Sequence, residues 1–251
     1  MKKLIITAIL SSCILFVSQA QDKVTFKLNP VQGKVIPYEM IMKTDLEGPQ
    51  NVIMDMNMNM SMTATQVTDT EITYETKYSK VTTDLDAGLM IINYDSSREP
   101  ANQMEEAFAS QMKPMLENTL TMKLDRQGKF LDMQFPNVAA QAFDKSSLQG
   151  LAVSYPTKAI SIGESWESDI ELPQVQAIGK TINTYTEKLP QGYKITVKTN
   201  YVDASGNNIG SAEGYYIIDP NTHFTSYSTA TTTLEMQGAK VSTSLELKEI
   251  K

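Results

Sequence analysis

The soft-ligand side chains in this sequence are almost all thioethers, fifteen methionines against one cysteine and one histidine. Met54, Met56, Met58, Met60 and Met62 take every second position between Ile53 and Thr65, with Asp55, Asn57, Asn59 and Ser61 between them. Period-two alternation puts the five sulfurs on one face of a strand and the polar residues on the other. A short strand upstream, Tyr38 to Lys43, carries Met40 and Met42 at the same period, and Glu47-Gly48-Pro49-Gln50 reads as the turn joining the two. Such a hairpin gathers seven of the fifteen methionines on one patch. Thioether sulfur is a soft ligand suited to Cu(I). Same-face neighbours along a strand lie about 7 Å apart and cross-strand pairs about 5 Å apart. Met40, Met42, Met56 and Met58 are therefore candidate ligands for one Cu(I) ion. The stripe reads equally as an apolar wall. In that reading Met40, Met42, Met54, Met56, Met58, Met60 and Met62, with Ile72, Tyr74, Tyr78, Phe108 and Met112, line a cavity for a lipid or other apolar small molecule. A plain core filled by adaptable methionines is the third reading.

Other chemistries are poorly served. His223 is the one histidine, which excludes multi-histidine metal sites and leaves a single base for a Ser-His-Asp arrangement. It follows a turn, and no Gly-x-Ser-x-Gly elbow accompanies it. The carboxylates are scattered, with no spacing that singles out an acid–base pair. The sequence has no phosphate-binding loop and no Gly-x-Gly-x-x-Gly. We expect a non-enzymatic chain without a cofactor. Its formal charge of −7, with no basic patch interleaved with aromatics, gives no support for a nucleic-acid partner.

The first twenty residues read as a secretory signal peptide. Lys2 and Lys3 precede an apolar run from Leu4 to Val17, and Ser18-Gln19-Ala20 is a small-x-small cleavage site. The run is too short to span a membrane. A competing reading takes Leu10-Ser11-Ser12-Cys13 as a lipoprotein box with a lipid on Cys13, although an apolar Ile14 to Val17 would follow the anchor. Cleavage after Ala20 removes two lysines, moves the charge from −7 to −9 and leaves no cysteine, hence no disulfide and no thiolate. The expected location is periplasmic or extracellular. No later apolar run is longer than Leu89-Met90-Ile91-Ile92, so no transmembrane helix follows the signal.

The elements that position these residues are mostly strands. Asp22 to Leu28 reads as a first strand. Ile72, Tyr74, Thr76 and Tyr78 share one face of another, which Val81 to Leu85 continues or pairs with. Leu89 to Tyr94 reads as a short strand more buried than the rest. Alternation then stops. Ser97 to Glu117 is a helix capped at Ser96 or Ser97, with Pro100 in its first turn, an apolar face of Met104, Phe108, Met112 and Met115, and an end or kink near Lys113 imposed by Pro114. Strands at Leu120 to Leu124 and Lys129 to Phe135 flank the turn Asp125-Arg126-Gln127-Gly128. Asn137 to Gly150 is a second helix. Six strands follow: Trp166–Leu172, Lys180–Lys188, Tyr193–Tyr201, Ile209–Ile218, Phe224–Met236 and Lys240–Ile250. Their short, turn-rich connections imply antiparallel neighbours. No linker divides residues 21–251, so one domain is expected: mainly β (α+β), a large curved antiparallel sheet or half-barrel with two helices packed on its concave face.

The run Pro156-Thr157-Lys158-Ala159-Ile160-Ser161-Ile162-Gly163-Glu164-Ser165-Trp166, following the hairpin from Leu124 to Gly128, resembles a family of exported β-rich Bacteroidota proteins that carry a domain of unknown function and a Gly-Glu/Asp-Ser-Trp motif. The resemblance covers most of the chain beyond the signal peptide and brings no catalytic residues. The architecture also looks like that of half-barrel periplasmic lipoprotein carriers. The residues themselves favour an exported, non-enzymatic binding protein for an apolar small molecule or lipid, with a Met-based Cu(I) binder and a structural or interaction protein of the cell envelope as the alternatives.

Overall fold

A computed structural model describes residues 23–136, 153–172, 176–236 and 238–250. The signal peptide with Cys13, and the second helix expected over 137–150, lie outside the described residues. The alternating runs form twelve strands: β1 (Val35–Glu47), β2 (Val52–Val67), β3 (Glu71–Asp86), β4 (Ile91–Asp95), β5 (Leu120–Asp125), β6 (Phe130–Gln134), β7 (Ser165–Leu172), β8 (Ala177–Leu189), β9 (Gly192–Asp203), β10 (Asn208–Ile218), β11 (Thr225–Met236) and β12 (Ala239–Glu249). All belong to one antiparallel sheet in the order β6-β5-β3-β2-β1-β12-β11-β10-β9-β8-β7. β3 runs sixteen residues, so its first half pairs with β5 and its second half with β4. Val81 to Leu85 thus continues the preceding strand. Register shifts in β2–β3, β5–β6, β8–β9, β9–β10 and β10–β11 mark bulges, which bend a sheet.

The turns work as their residues require. Asp125 Oδ1 accepts backbone N–H groups from Gln127 and Lys129, and Asp219 Oδ1 accepts those of Asn221 and Thr222. At Gly128 φ is +81°, and a Cβ there would stand 2.3 Å from the Val153 carbonyl oxygen, so only glycine fits.

Among the described residues there is one α-helix, α1 (Gln103–Glu117), where two packed helices were expected. It starts later than its residue types imply. Asn102, rather than Ser96 or Ser97, is the cap: its Oδ1 accepts from the N–H groups of Met104 and Glu105, each at 3.0 Å. The Glu105 carboxylate reaches back to Ala101 N–H at 3.0 Å and to Arg98 at 2.8 Å, which fixes the entry. Pro114 does not end the helix. It removes one backbone bond, and a last turn closes through Asn118, whose backbone N–H and Nδ2 both donate to the Pro114 carbonyl. α1 lies against β3 and β4, with Phe108 edge-on to Tyr94 at 5.2 Å and Met115 buried.

The first expected strand is also absent as a strand. Residues 23–29 make only an isolated bridge, Val24 with Ile160, yet Phe26 and Leu28 are fully buried. The segment passes between the sheet's two ends. Leu28 N–H donates to Arg126 O in the β5–β6 turn, and Asn29 N–H to Thr222 O in the β10–β11 turn. The stretch from Val153 to Glu164 completes the crossing: Tyr155 N–H donates to Gln127 O, Gly163 N–H to Tyr185 O, and Tyr185 N–H to Glu164 O. Phe26 is the centre of an aromatic cluster, stacked on Tyr155 at 5.1 Å and edge-on to Tyr185 and Tyr193 at 5.7 and 5.4 Å. The motif's tryptophan, Trp166, packs on the same ring, and its Nε1–H donates to Ser154 O. Phe26→Ala empties this cluster and is expected to cost ~3–5 kcal/mol, measured as a lower midpoint in urea with an unchanged slope.

Candidate functional site

The methionine stripe faces inward, as its period requires. β1 pairs with β2 so that Met40 stands opposite Met58 and Met42 opposite Met56, with Tyr38 opposite Met60 and Ile36 opposite Met62. On the far side of β2, Met60 faces Tyr78 and Met62 faces Thr76. Burial falls along the stripe. Met58, Met60, Met62 and Met40 are in the core with Ile72, Tyr74 and Tyr78. Met56 is half-buried against that core, as are Phe108 and Met112, while Met42 and Met54 are half-buried. On the outer face of the hairpin Lys43 pairs with Asp55 at 2.9 Å, and Asn57 donates to Glu39 at 3.0 Å.

The inner face changes character toward the end where Met54 lies. Successive strands there contribute Thr44, Thr243, Thr232, Ala212, Thr199 and Thr181 in one cross-sheet row. The middle members of the row are half-exposed, so the face is filled at one end and open at the other.

A cavity of about 750 Å³ lies elsewhere, between the two ends of the sheet. One wall is Met122 and Leu124 of β5 with Lys129 and Phe130 beside them. The opposite wall is Glu167 to Glu171 of β7, Thr181 and Asn183 of β8, Val197 of β9 and Tyr216 of β10, and Val153 and Ser154 close one side. Strands at opposite ends of the sheet order share this one space, so the sheet curls until its ends face each other. None of the twelve expected wall residues, Met40 to Met112, lines it.

The chemistry of the cavity is two-sided. Met122, Leu124, Phe130, Val153 and Val197 supply apolar surface. Facing them is a ladder of neutral polar groups: Asn183 Nδ2 donates to Ser168 Oγ at 3.0 Å, and the Thr181 and Thr199 hydroxyls lie 2.9 Å apart. Glu167, Asp169 and Glu171 are exposed at the mouth, and Lys180 pairs with Asp169 at 2.6 Å. Sequence reasoning missed this site. The alternation of Leu120, Met122 and Leu124 marks an inward face, but no local signal places it opposite β7.

His223 lies against the crossing segment. Its ring packs on Phe26 at 5.6 Å, and its Nδ1 accepts the Lys27 N–H at 3.1 Å, so it helps hold the crossing segment. Among the described residues no group of three or more His, Cys, Asp and Glu side chains is arranged to hold a metal. No helix of the described residues is long and apolar enough to cross a membrane.

No family model matches the chain, and no curated protein does. Among solved structures it is similar to lipovitellin, from a structure concerned with lipid–protein interactions. The TM-score is 0.58 at 12% identity, over 88% of this chain and 25% of that one. The chain thus spans a quarter of the length of the lipovitellin chain it matches. At that identity the likeness is one of fold.

Burial raises the phenols of this face. Desolvation pushes Tyr38, Tyr74 and Tyr78 above the ordinary tyrosine value, and Tyr216 in the cavity wall is pushed up to about 12. The folded state therefore holds these protons where the unfolded chain releases them, at about pH 10. Their contribution to stability is complete below that pH and is lost as pH rises toward 12. Denaturant midpoints should hold steady up to about pH 9.5 and fall steeply above about pH 10, with tyrosinate absorbance at 295 nm appearing together with unfolding.

Proposed function

We propose that this chain is an exported, non-catalytic binding protein that holds one lipid or similar amphipathic small molecule between the two ends of its sheet. The observation that carries the reading is the cavity of about 750 Å³ with one apolar wall and one neutral polar wall. Its size falls in the range of small-molecule sites, roughly 300–1,000 Å³. An acyl chain would lie on Met122, Leu124, Phe130 and Val197, and a carbonyl or hydroxyl group on the Ser168–Asn183–Thr181 ladder. The carboxylates at the mouth disfavour an anionic headgroup there, so a neutral or zwitterionic lipid fits better than a free fatty acid anion. The fold likeness to a lipid-associated protein agrees with this reading and adds no residue to it. Membership of the exported Bacteroidota family, and with it a periplasmic or extracellular location, is part of the same proposal.

Cu(I) binding is the second reading, and one observation favours it. The β1–β2 register sets Met40 against Met58 and Met42 against Met56, four thioethers at adjacent positions on one face. Competition for Cu(I) against a chromogenic chelator tests it: Met42→Leu with Met56→Leu removes the two half-buried sulfurs and should abolish any uptake.

For the lipid reading, native mass spectrometry of protein purified from its own host should show a bound mass that organic extraction identifies as lipid. A fluorescent monoacylglycerol probe should bind the delipidated protein. Val197→Trp, which fills the cavity, should weaken probe binding by about tenfold or more while leaving the thermal midpoint within a few degrees. An apo mass from every preparation, together with no probe uptake, would overturn the proposal.

A further inference from the structure

The run Leu89-Met90-Ile91 stands out in sequence as apolar, and its pattern predicts a well-buried strand. The structure places it otherwise. β4 begins at Ile91, and only Ile92 and Tyr94 turn inward. Leu89 and Met90 form the β3–β4 turn, where Leu89 is 105% exposed, beyond a fully extended reference. Met90 is 40% and Ile91 54% exposed, and Ile53 of the neighbouring hairpin is 55% exposed. Ile53, Asp86 and Ile91 are consecutive register partners, so both isoleucines belong to the same tip as Leu89.

This tip is held in shape. Ala87 N–H donates to Met90 O at 2.9 Å, and Gly88 N–H to Asp86 Oδ1 at 2.8 Å. Gln50, from the β1–β2 turn, donates to Ala87 O at 3.3 Å. Gly88 has φ of +75°, the left-handed conformation that lets the turn reverse so tightly. A turn that presents its largest apolar side chains to solvent, braced from beneath, is built to bury them in something else.

We propose that the β3–β4 tip docks on a lipid surface, with Leu89 and Met90 entering the boundary between headgroups and acyl chains. Two features select a bilayer over a protein partner. The tip is a hairpin turn and offers only four apolar side chains, two of them about half-exposed, well short of the roughly 800 Å² per partner of a stable protein interface. A fluid bilayer accepts such a shallow wedge without a complementary groove. Charge selects the lipid. Asp84 and Asp86 flank the turn, no lysine or arginine lies within it, and the nearest β1–β2 cation, Lys43, is paired with Asp55. Asp86 stands between Ile53 and Ile91 on their shared face, with one carboxylate oxygen turned to the Gly88 N–H, and this acidic tip fits zwitterionic rather than anionic headgroups. The tip also stands at the end of the sheet where the methionine stripe is half-open. The proposal shares its lipid chemistry with the binding reading above but rests on different residues. The two fail separately, because one is read with a monomeric probe and the other with vesicles.

Flotation with phosphatidylcholine vesicles tests it. The purified protein should float with the vesicles, and Leu89→Asp should reduce the bound fraction by about tenfold. Ile182→Asp, which alters a half-exposed isoleucine on β8, should leave flotation unchanged. Leu89→Trp should gain a blue-shifted tryptophan emission on vesicles. Replacing a third of the phosphatidylcholine by phosphatidylserine should weaken binding. Failure of the unaltered protein to float, or equal flotation of Leu89→Asp, would overturn the proposal. So would a concentration-dependent dimer that Leu89→Asp abolishes without any vesicle binding, since a second copy would then be the tip's partner.

Discussion

The structure depends on how the two ends of a long sheet are joined without being paired. β6 and β7 terminate the sheet order, and among the described residues neither has a strand partner on its outer side. A twelve-stranded sheet left flat would expose both edges and one apolar face. Here the sheet curls, and the residues around Phe26 and Tyr155 cross from one end to the other. Backbone bonds from this crossing reach the β5–β6 turn, the β10–β11 turn and β8. Phe26 makes the crossing rigid, because its ring touches side chains from the Val153–Glu164 stretch, β7, β8, β9 and the β10–β11 turn together. The Gly-Glu-Ser-Trp motif belongs to this device. Gly163 adopts φ of +89°, Glu164 accepts the Ser161 N–H, which holds its carboxyl below the usual range, and Trp166 caps the cluster.

That arrangement produces both the half-open end of the methionine stripe and the cavity. Where the crossing segments lie, the concave face is packed, and Met58, Met60 and Met62 are core. Where they do not reach, the same face opens, and Met54 and Met42 are only half-covered. The cavity between β5–β6 and β7–β10 is the space left by two sheet ends that face one another without hydrogen bonding. Unbranched methionine side chains suit a strand that passes from a packed to an open environment, because their three rotatable bonds let them fill irregular space.

The helix shows how local and global signals divided. Its apolar spacing, with Phe108, Met112 and Met115 toward the sheet, was legible from residues four and three apart. Its start was not, because Ser96, Ser97 and Asn102 are all competent caps. The choice fell to Asn102 because Glu105 and Arg98 lock the turn there. Leu89 to Tyr94 shows the converse. An apolar run implies burial, but a turn braced by Gln50 and Gly88 set half of it in solvent.

By itself, the sequence determined the strands and their faces. Period two, with Asp and Gly in the turns, is a property of neighbouring residues, so the inward methionine stripe and the antiparallel β1–β2 hairpin followed from it. Tertiary structure alone decided that Asp22 to Leu28 would be a crossing segment rather than a strand, and that β5 would face β7. It also decided that the cavity would lie away from the stripe. Those outcomes depend on the curl of a whole sheet and on contacts between residues more than a hundred positions apart, such as Lys27 with His223, and no local pattern encodes such contacts.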